Sequence, residues 1–222
     1  MSQFRMETMV CPNCNKQEAL RLWEEINAKE DVTARNRLLD GELFLYRCKK
    51  CGYTAATAYN CIYKDFDRKF MIYFAADGDE DGMRMAMDKV EADAKAINPN
   101  VEYSIRRRIV RDGNSMQEKV IIFEADLDDR TIELMKMFYV SAVMENNPDM
   151  QIARCYFCII DDNWRLEMAA VDGRTFAIDV QKDLYQAFED EYREEIDRIG
   201  ETYFVDADYA LNIYGENLSD PD

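Results

Sequence analysis

Cys11-Pro12-Asn13-Cys14 and Cys48-Lys49-Lys50-Cys51-Gly52 are two matched CxxC turns, and how they are read decides the fold of the N-terminal part. Four thiolates paired in this way close the tetrahedral shell that zinc takes in structural sites. A closed shell of this kind leaves no coordination position for a substrate. Cys11, Cys14, Cys48 and Cys51 are therefore read as one structural zinc site. Iron on the same thiolates is the competing reading, because donor type alone does not separate the two metals. The residue after the second cysteine of such a turn is driven toward positive φ, which Gly52 adopts freely and Asn15 tolerates. Lys16, Arg47, Lys49 and Lys50 stand close enough in sequence to offset the excess negative charge of four thiolates on a divalent ion.

Thirty-three residues separate Cys14 from Cys48, more than the gap of about 15 to 20 in simple paired-CxxC sites, so the ribbon holds an insertion. Residues 19–26 read as a strand leaving the first turn. Asp31 caps a short helix toward Leu38 and Leu39, and Asp40-Gly41 turns the chain back. Residues 43–47 form a strand delivering Cys48, and residues 53–63 and 69–75 form two more, joined by the polar turn 64–68. Residues 1–76 are thus expected to be a zinc-ribbon-like module with a strand-helix insertion.

Residues 77–148 read as a mainly helical region. It has a helix over 80–97 ending at Asn98-Pro99, a strand over 101–110, a capping box at Ser115-Met116-Gln117-Glu118, and a helix over 130–144 capped by Asp128. That last helix is apolar on several sides, so it is expected to be central or at a subunit interface. Residues 149–222 read as a three-stranded antiparallel meander (151–160, 164–171, 174–180) followed by one acidic amphipathic helix over 182–199. The buried stripe of that helix would be Leu184, Tyr185, Phe188, Tyr192, Ile196 and Ile199. Asp206 caps a last short helix. The fold class is α+β.

The stretches CPNC (Cys11 to Cys14), WEEIN (from Trp23), LLDGELF (from Leu38), the second CxxCG and DRKFMIYF (from Asp67) run in order, and together they resemble the CpXC family of bacterial and archaeal proteins. The resemblance covers roughly residues 8–140. It implies a prokaryotic source and an N-terminal zinc-ribbon-like module, and it supplies no reaction.

Composition narrows the chemistry. The chain of 222 residues contains no histidine, which removes Ser-His and Cys-His nucleophiles and every His-containing metal site. No GxxxxGK[ST] or GxGxxG run offers a phosphate cradle. Cys61, Cys155 and Cys158 remain as apolar-flanked thiols, which fits a reducing compartment. The absence of an apolar spanning run and of a signal core points to the cytoplasm, with no membrane partner. Charge is partitioned: residues 1–75 carry 12 Lys and Arg against 10 Asp and Glu, whereas the remainder carries 16 against 35. An acidic field of that size repels phosphate backbones, so nucleic-acid binding by the whole chain is not expected.

Other clusters compete with structural explanations. Asp77, Asp79, Asp81 and Asp88, with Gly82, fit a calcium-loop spacing for a second cation, and the same acids would stabilise a helix N-terminus. Asp126, Asp128 and Asp129 near Glu124 suggest magnesium for phosphodiester chemistry, or a helix end and the next cap. Cys155-Tyr156-Phe157-Cys158 lies mid-strand, where a redox pair lacks the helix N-terminus it needs. Arg106, Arg107, Arg108 and Arg111 form a basic patch, for phosphate or for internal ion pairing. The sequence points to a cytoplasmic structural-zinc protein that acts as a protein-binding or adaptor module, through a protein partner or self-association. The alternatives are a divalent-metal-dependent hydrolase or nuclease using an Asp cluster, and local nucleic-acid contact through the ribbon.

Overall fold

In the computed structural model, which describes residues 2–97 and 105–219, helices and strands fall into two units, Met1–Gln117 and Glu118–Asp222. The first unit opens with a hairpin of β1 (Gln3–Val10) and β2 (Gln17–Asn27), which runs antiparallel from Val10 opposite Gln17 to Phe4 opposite Trp23. Asp31 caps α1 (Val32–Leu39) by accepting from the Ala34 amide at 2.9 Å, and the helix buries Ala34 and Leu38. A smaller hairpin follows, β3 (Leu45–Arg47) with β4 (Thr54–Ala56). β5 (Cys61–Asp65) and β6 (Phe70–Phe74) return the chain to the first sheet. α2 (Glu80–Ile97) then leads toward β7 (Arg106–Val110), and the sheet order is β1-β2-β5-β6-β7. β2 with β5 and β6 with β7 run parallel, while the other pairs are antiparallel.

β5 and β6 are buried at every position. Strands covered on both faces read in sequence as continuous apolar runs, which is how CIYKD and FMIYF read apart from Lys64 and Asp65. Those two charges are neutralised in place, Lys64 by Glu25 and Asp65 by Arg68 at 2.7 Å. Tyr63 stacks on Phe70 across the pair. The segment read as one strand over 53–63 is in fact two. β4 pairs with β3 and β5 with β2, so the chain changes sheets over residues 57–60. Asn60 secures the switch by accepting from the Ala76 amide and donating to Asp77. The helix stop at Asn98-Pro99 and the first part of the strand expected over 101–110 lie outside the described residues.

α3 (Gly113–Glu124) starts earlier than the expected capping box. Asp112 is the cap, its carboxylate accepting from the Ser115 amide at 2.8 Å and the Ser115 hydroxyl at 2.7 Å. Ser115 is therefore inside the first turn, and Glu118 is free to serve elsewhere. Gly113 is required by contact, since a Cβ there would come within 2.7 Å of the Phe44 ring.

In the second unit, Asp128 caps α4 (Asp129–Asn146) and accepts from the Arg130 amide at 2.9 Å. The first two turns of α4 are buried except at half-buried Arg130, as expected of a central helix. β8 (Ile152–Ile160), β9 (Asn163–Ala170) and β10 (Thr175–Asp179) form the antiparallel meander in the order β10-β9-β8. Asp161 and Asp162, at φ 49 and 62, make the two-residue turn between β8 and β9. The expected single helix over 182–199 is broken into α5 (Lys182–Glu191) and α6 (Arg193–Ile199). The break falls at Tyr192, whose backbone takes φ −104 and ψ 14, while its buried ring stays stacked on Phe188 at 5.8 Å and the bonds from the Tyr192 amide to the Phe188 carbonyl and from the Ile196 amide to the Tyr192 carbonyl are kept. Ile199, expected in the stripe, is exposed past the break. α7 (Ala207–Ser219) is capped by Asp206. α4 packs against α5, α7 and β8.

Within that packing, α3 and α4 bury an ionic cluster. Lys119 contacts Asp129 at 3.0 Å and Glu133 at 3.2 Å, while Lys136 contacts Glu118 at 2.9 Å and Glu133 at 3.0 Å. Glu118 also accepts from the Phe157 amide at 2.6 Å, which ties the helices to the meander. Burial would lower the Lys136 ammonium pKa, yet Glu118 and Glu133 hold it above the ordinary range. Removing one member of such a cluster strands its partners' charges. Lys136→Met is expected to destabilise the second unit by about 3–5 kcal/mol in urea unfolding, while Asp183→Asn, at an exposed position of α5, changes it by less than about 0.5 kcal/mol. Equal effects of the two would remove the cluster from the account of stability.

Candidate metal centre

Each CxxC pair lies in the turn of a hairpin. The first is between β1 and β2, the second between β3 and β4. The two turns carry the same backbone bonds. The Asn15 amide donates to the Cys11 carbonyl at 2.9 Å and the Cys11 amide to the Lys16 carbonyl at 2.9 Å. The Gly52 amide donates to the Cys48 carbonyl at 2.9 Å and the Cys48 amide to the Tyr53 carbonyl at 2.8 Å. Asn15 and Gly52 take φ of 55 and 74, so both turns meet the left-handed requirement seen in the sequence.

These equivalent turns bring Cys11, Cys14, Cys48 and Cys51 together, with all four sulfurs within 4.8 Å of one another. Cys11 to Cys51 and Cys14 to Cys48 are each 3.6 Å. A disulfide would need about 2.05 Å, whereas metal–sulfur bonds of about 2.3 Å give tetrahedral edges near 3.8 Å. The donor set and spacing can therefore hold a metal ion. Four soft donors suit zinc or iron and leave no hard oxygen ligand for magnesium or calcium. Cys11 and Cys48 are buried with Tyr46, and Met9, Cys14 and Leu20 pack against them.

The surroundings bias the thiols unequally. Burial pushes the Cys48 thiol up, but the Cys51 and Lys50 amides and the neighbouring sulfurs bring it down to about 6. The Tyr53 amide lowers Cys51. The Lys16 amide lowers Cys14, yet burial and the three other sulfurs carry it up to about 12. Four thiolates crowded together resist collecting four charges, and a bound cation relieves that repulsion.

Glu18 was not anticipated in the sequence. Its carboxylate accepts from the Lys49 amide at 3.1 Å and the Tyr46 hydroxyl at 3.3 Å, and it pairs with Lys16 at 3.1 Å. It thus links the strand after the first turn to the backbone of the second. Burial opposes its charge, but Lys49, Lys16 and Tyr46 hold its pKa below the ordinary carboxylate value. The available signal was a carboxylate four residues after Cys14. Its partner Lys49 is 31 residues away and is joined only by the fold.

The remaining candidates are placed as follows. Asp77 accepts from Asn60 at 2.7 Å and from the Asp79 amide; Asp79 accepts from the Gly82 amide; Asp81 is exposed; Asp88 pairs with Arg107 at 2.9 Å. Asp128 binds Arg130 and Asp129 binds Lys119, so these carboxylates point to different cations. Among the described residues, the four cysteines are the one group of three or more candidate ligands that converges. Cys155 and Cys158 lie in β8, and burial raises their thiols to about 12 and about 11. Arg107 is engaged by Asp88, and Arg108 is buried, donating to the Arg107 carbonyl at 2.8 Å. Among the described residues no helix is long and apolar enough to cross a membrane.

A family model described as CpXC protein matches residues 9–136, more than half of the chain, and the chain belongs to that family. No curated protein and no solved structure matches it.

One metal ion per chain is expected. Cys11→Ser with Cys48→Ser should abolish its retention and lower the melting temperature by roughly 10 °C or more. Cys155→Ser should leave metal content unchanged. Metal analysis and calorimetry on the same samples check this, and a metal-free wild type, or a double variant that melts with it, would contradict the assignment.

Proposed function

We propose that this CpXC family chain is a protein-binding module whose first unit is organised by a structural zinc ion in a ribbon-like site. The observation that carries the reading is the closure of four sulfurs within 4.8 Å of one another, with every ligand position supplied by the chain. A metal so enclosed supplies rigidity. It offers a substrate no vacant position at which to be polarised.

The binding role is assigned to the acidic surface of the second unit. α5 and α6 bury Phe188, Tyr192 and Ile196 and expose Asp183, Asp190, Glu191, Glu194 and Asp197. Residues 161–222 hold 18 acidic side chains against 5 basic ones. A surface of this sign favours a partner that presents Lys and Arg, and it discourages nucleic acid.

Immobilised wild-type protein and the triple variant Asp190→Asn, Glu194→Gln, Asp197→Asn are the test pair. A specific basic partner should be retained by the wild type at low salt, released by high salt, and lost from the variant. The same partner held equally by both would remove the acidic surface from the proposal. Binding of magnesium or manganese tighter than millimolar by zinc-loaded protein would move the assignment to the hydrolase alternative.

A further inference from the structure

β1 is the outermost strand of the five-stranded sheet, and among the described residues no strand lies on its outer side. Seven of its eight residues are exposed. The opposite edge strand, β7, is five residues long and buries its last three. Long exposed edges are normally blunted by proline, bulges or like charges, because unpaired backbone groups recruit another strand. β1 has no proline, and beyond a bulge at Gln3/Phe4 it is regular. One face of it presents Phe4 at 46%, Met6 at 57% and Val10 at 51% exposure, apolar side chains left in water. The other face presents Arg5 and Glu7, one charge of each sign in a chain of net charge −17.

We propose that this edge pairs with β1 of a second copy of the chain, antiparallel and centred on Met6, joining two five-stranded sheets into one. The proposal is independent of the acidic-surface reading, since it uses the first unit alone.

Charge disfavours the two neighbouring registers and favours the one centred on Met6. A symmetric antiparallel pair turns about an axis normal to the sheet, so each face stays continuous across the junction and the centre falls on a residue. Centring on Arg5 sets Arg5 against Arg5, and centring on Glu7 sets Glu7 against Glu7. Both place like charges directly opposite, which is destabilising. Centring on Met6 sets Arg5 opposite Glu7 of the second copy, twice, with Met6 against Met6 and Phe4 against Thr8 on the apolar face. Within one chain Arg5 already contacts Glu24 on β2 at 3.0 Å and Glu7 at 3.6 Å, with both Arg5 and Glu7 about half exposed. The pairing therefore extends an existing row of charges from Glu24 through Arg5 to Glu7 of the second copy. Arg21 lies over the Phe4 ring at 4.3 Å, and Phe4 packs edge-on to Trp23, which holds the apolar face in place before a partner arrives.

The test is a sedimentation series over protein concentration on full-length, metal-loaded protein, with Arg5→Glu, Glu7→Arg and the double reversal. The wild type should reach a two-chain mass, each single reversal should weaken dimerisation about tenfold or more, and the double reversal should restore it. A wild type that stays monomeric at every concentration overturns the proposal, as does a single reversal that dimerises as tightly as wild type or a double reversal that fails to recover. Deuterium exchange on the wild type avoids any folding defect in the variants. Amides of residues 3–10 should exchange more slowly in concentrated than in dilute protein, and concentration-independent exchange there also overturns it.

Discussion

The closure of four cysteine sulfurs is the constraint on which the first unit depends. The β1–β2 hairpin belongs to the five-stranded sheet, and the β3–β4 hairpin forms a sheet of its own. No ladder of backbone bonds joins the two hairpins among the described residues, so what connects their tips is Cys11 and Cys14 facing Cys48 and Cys51, with Glu18 reaching from β2 to the Lys49 amide. Two short turns with identical backbone bonding hold the sulfurs at the spacing a tetrahedral ion needs. Against the lowering Lys16 amide, burial and then the three neighbouring sulfurs push the Cys14 thiol up to about 12.

Local chemistry was legible in the sequence and long-range pairing was not. Asp31, Asp128 and Asp206 cap helices because a short carboxylate before a helical run has few other uses, and the structure places each of them so. The positive φ at Asn15 and Gly52 was legible from the CxxC turns themselves. The mixed sheet was not readable, because nothing in a buried run such as FMIYF says which strand it will join or in which direction. β1 was overlooked beside the cysteine turn it leads into, although Phe4, Met6, Thr8 and Val10 alternate. Ser115 and Glu118 fit the pattern of a capping box, yet Asp112 took the cap and Glu118 was drawn into the buried cluster by Lys136. The break at Tyr192 is a local backbone departure, φ −104 and ψ 14, that leaves the Phe188–Tyr192 stack of the expected stripe in place, so side-chain periodicity carried no sign of it.

Charge is used in two ways along the chain. Inside the second unit, Glu118, Asp129 and Glu133 meet Lys119 and Lys136 in a buried set that, with the Phe157 amide on Glu118, offsets lost hydration and favours one arrangement of α3, α4 and β8 over others of similar apolar burial. On the surface, α5 and α6 expose an acidic excess in which Asp190 pairs with Arg193 at 2.7 Å. Asp77, Asp88, Asp128 and Asp129 contact Asn60, Arg107, Arg130 and Lys119 respectively.

The account rests on four thiolates sharing one ion, and X-ray absorption at the metal edge of the purified full-length protein tests that most directly. It predicts a zinc edge with four sulfur neighbours at about 2.3 Å and no nitrogen or oxygen in the shell. A shell containing light-atom ligands, or protein carrying no stoichiometric metal, would contradict it.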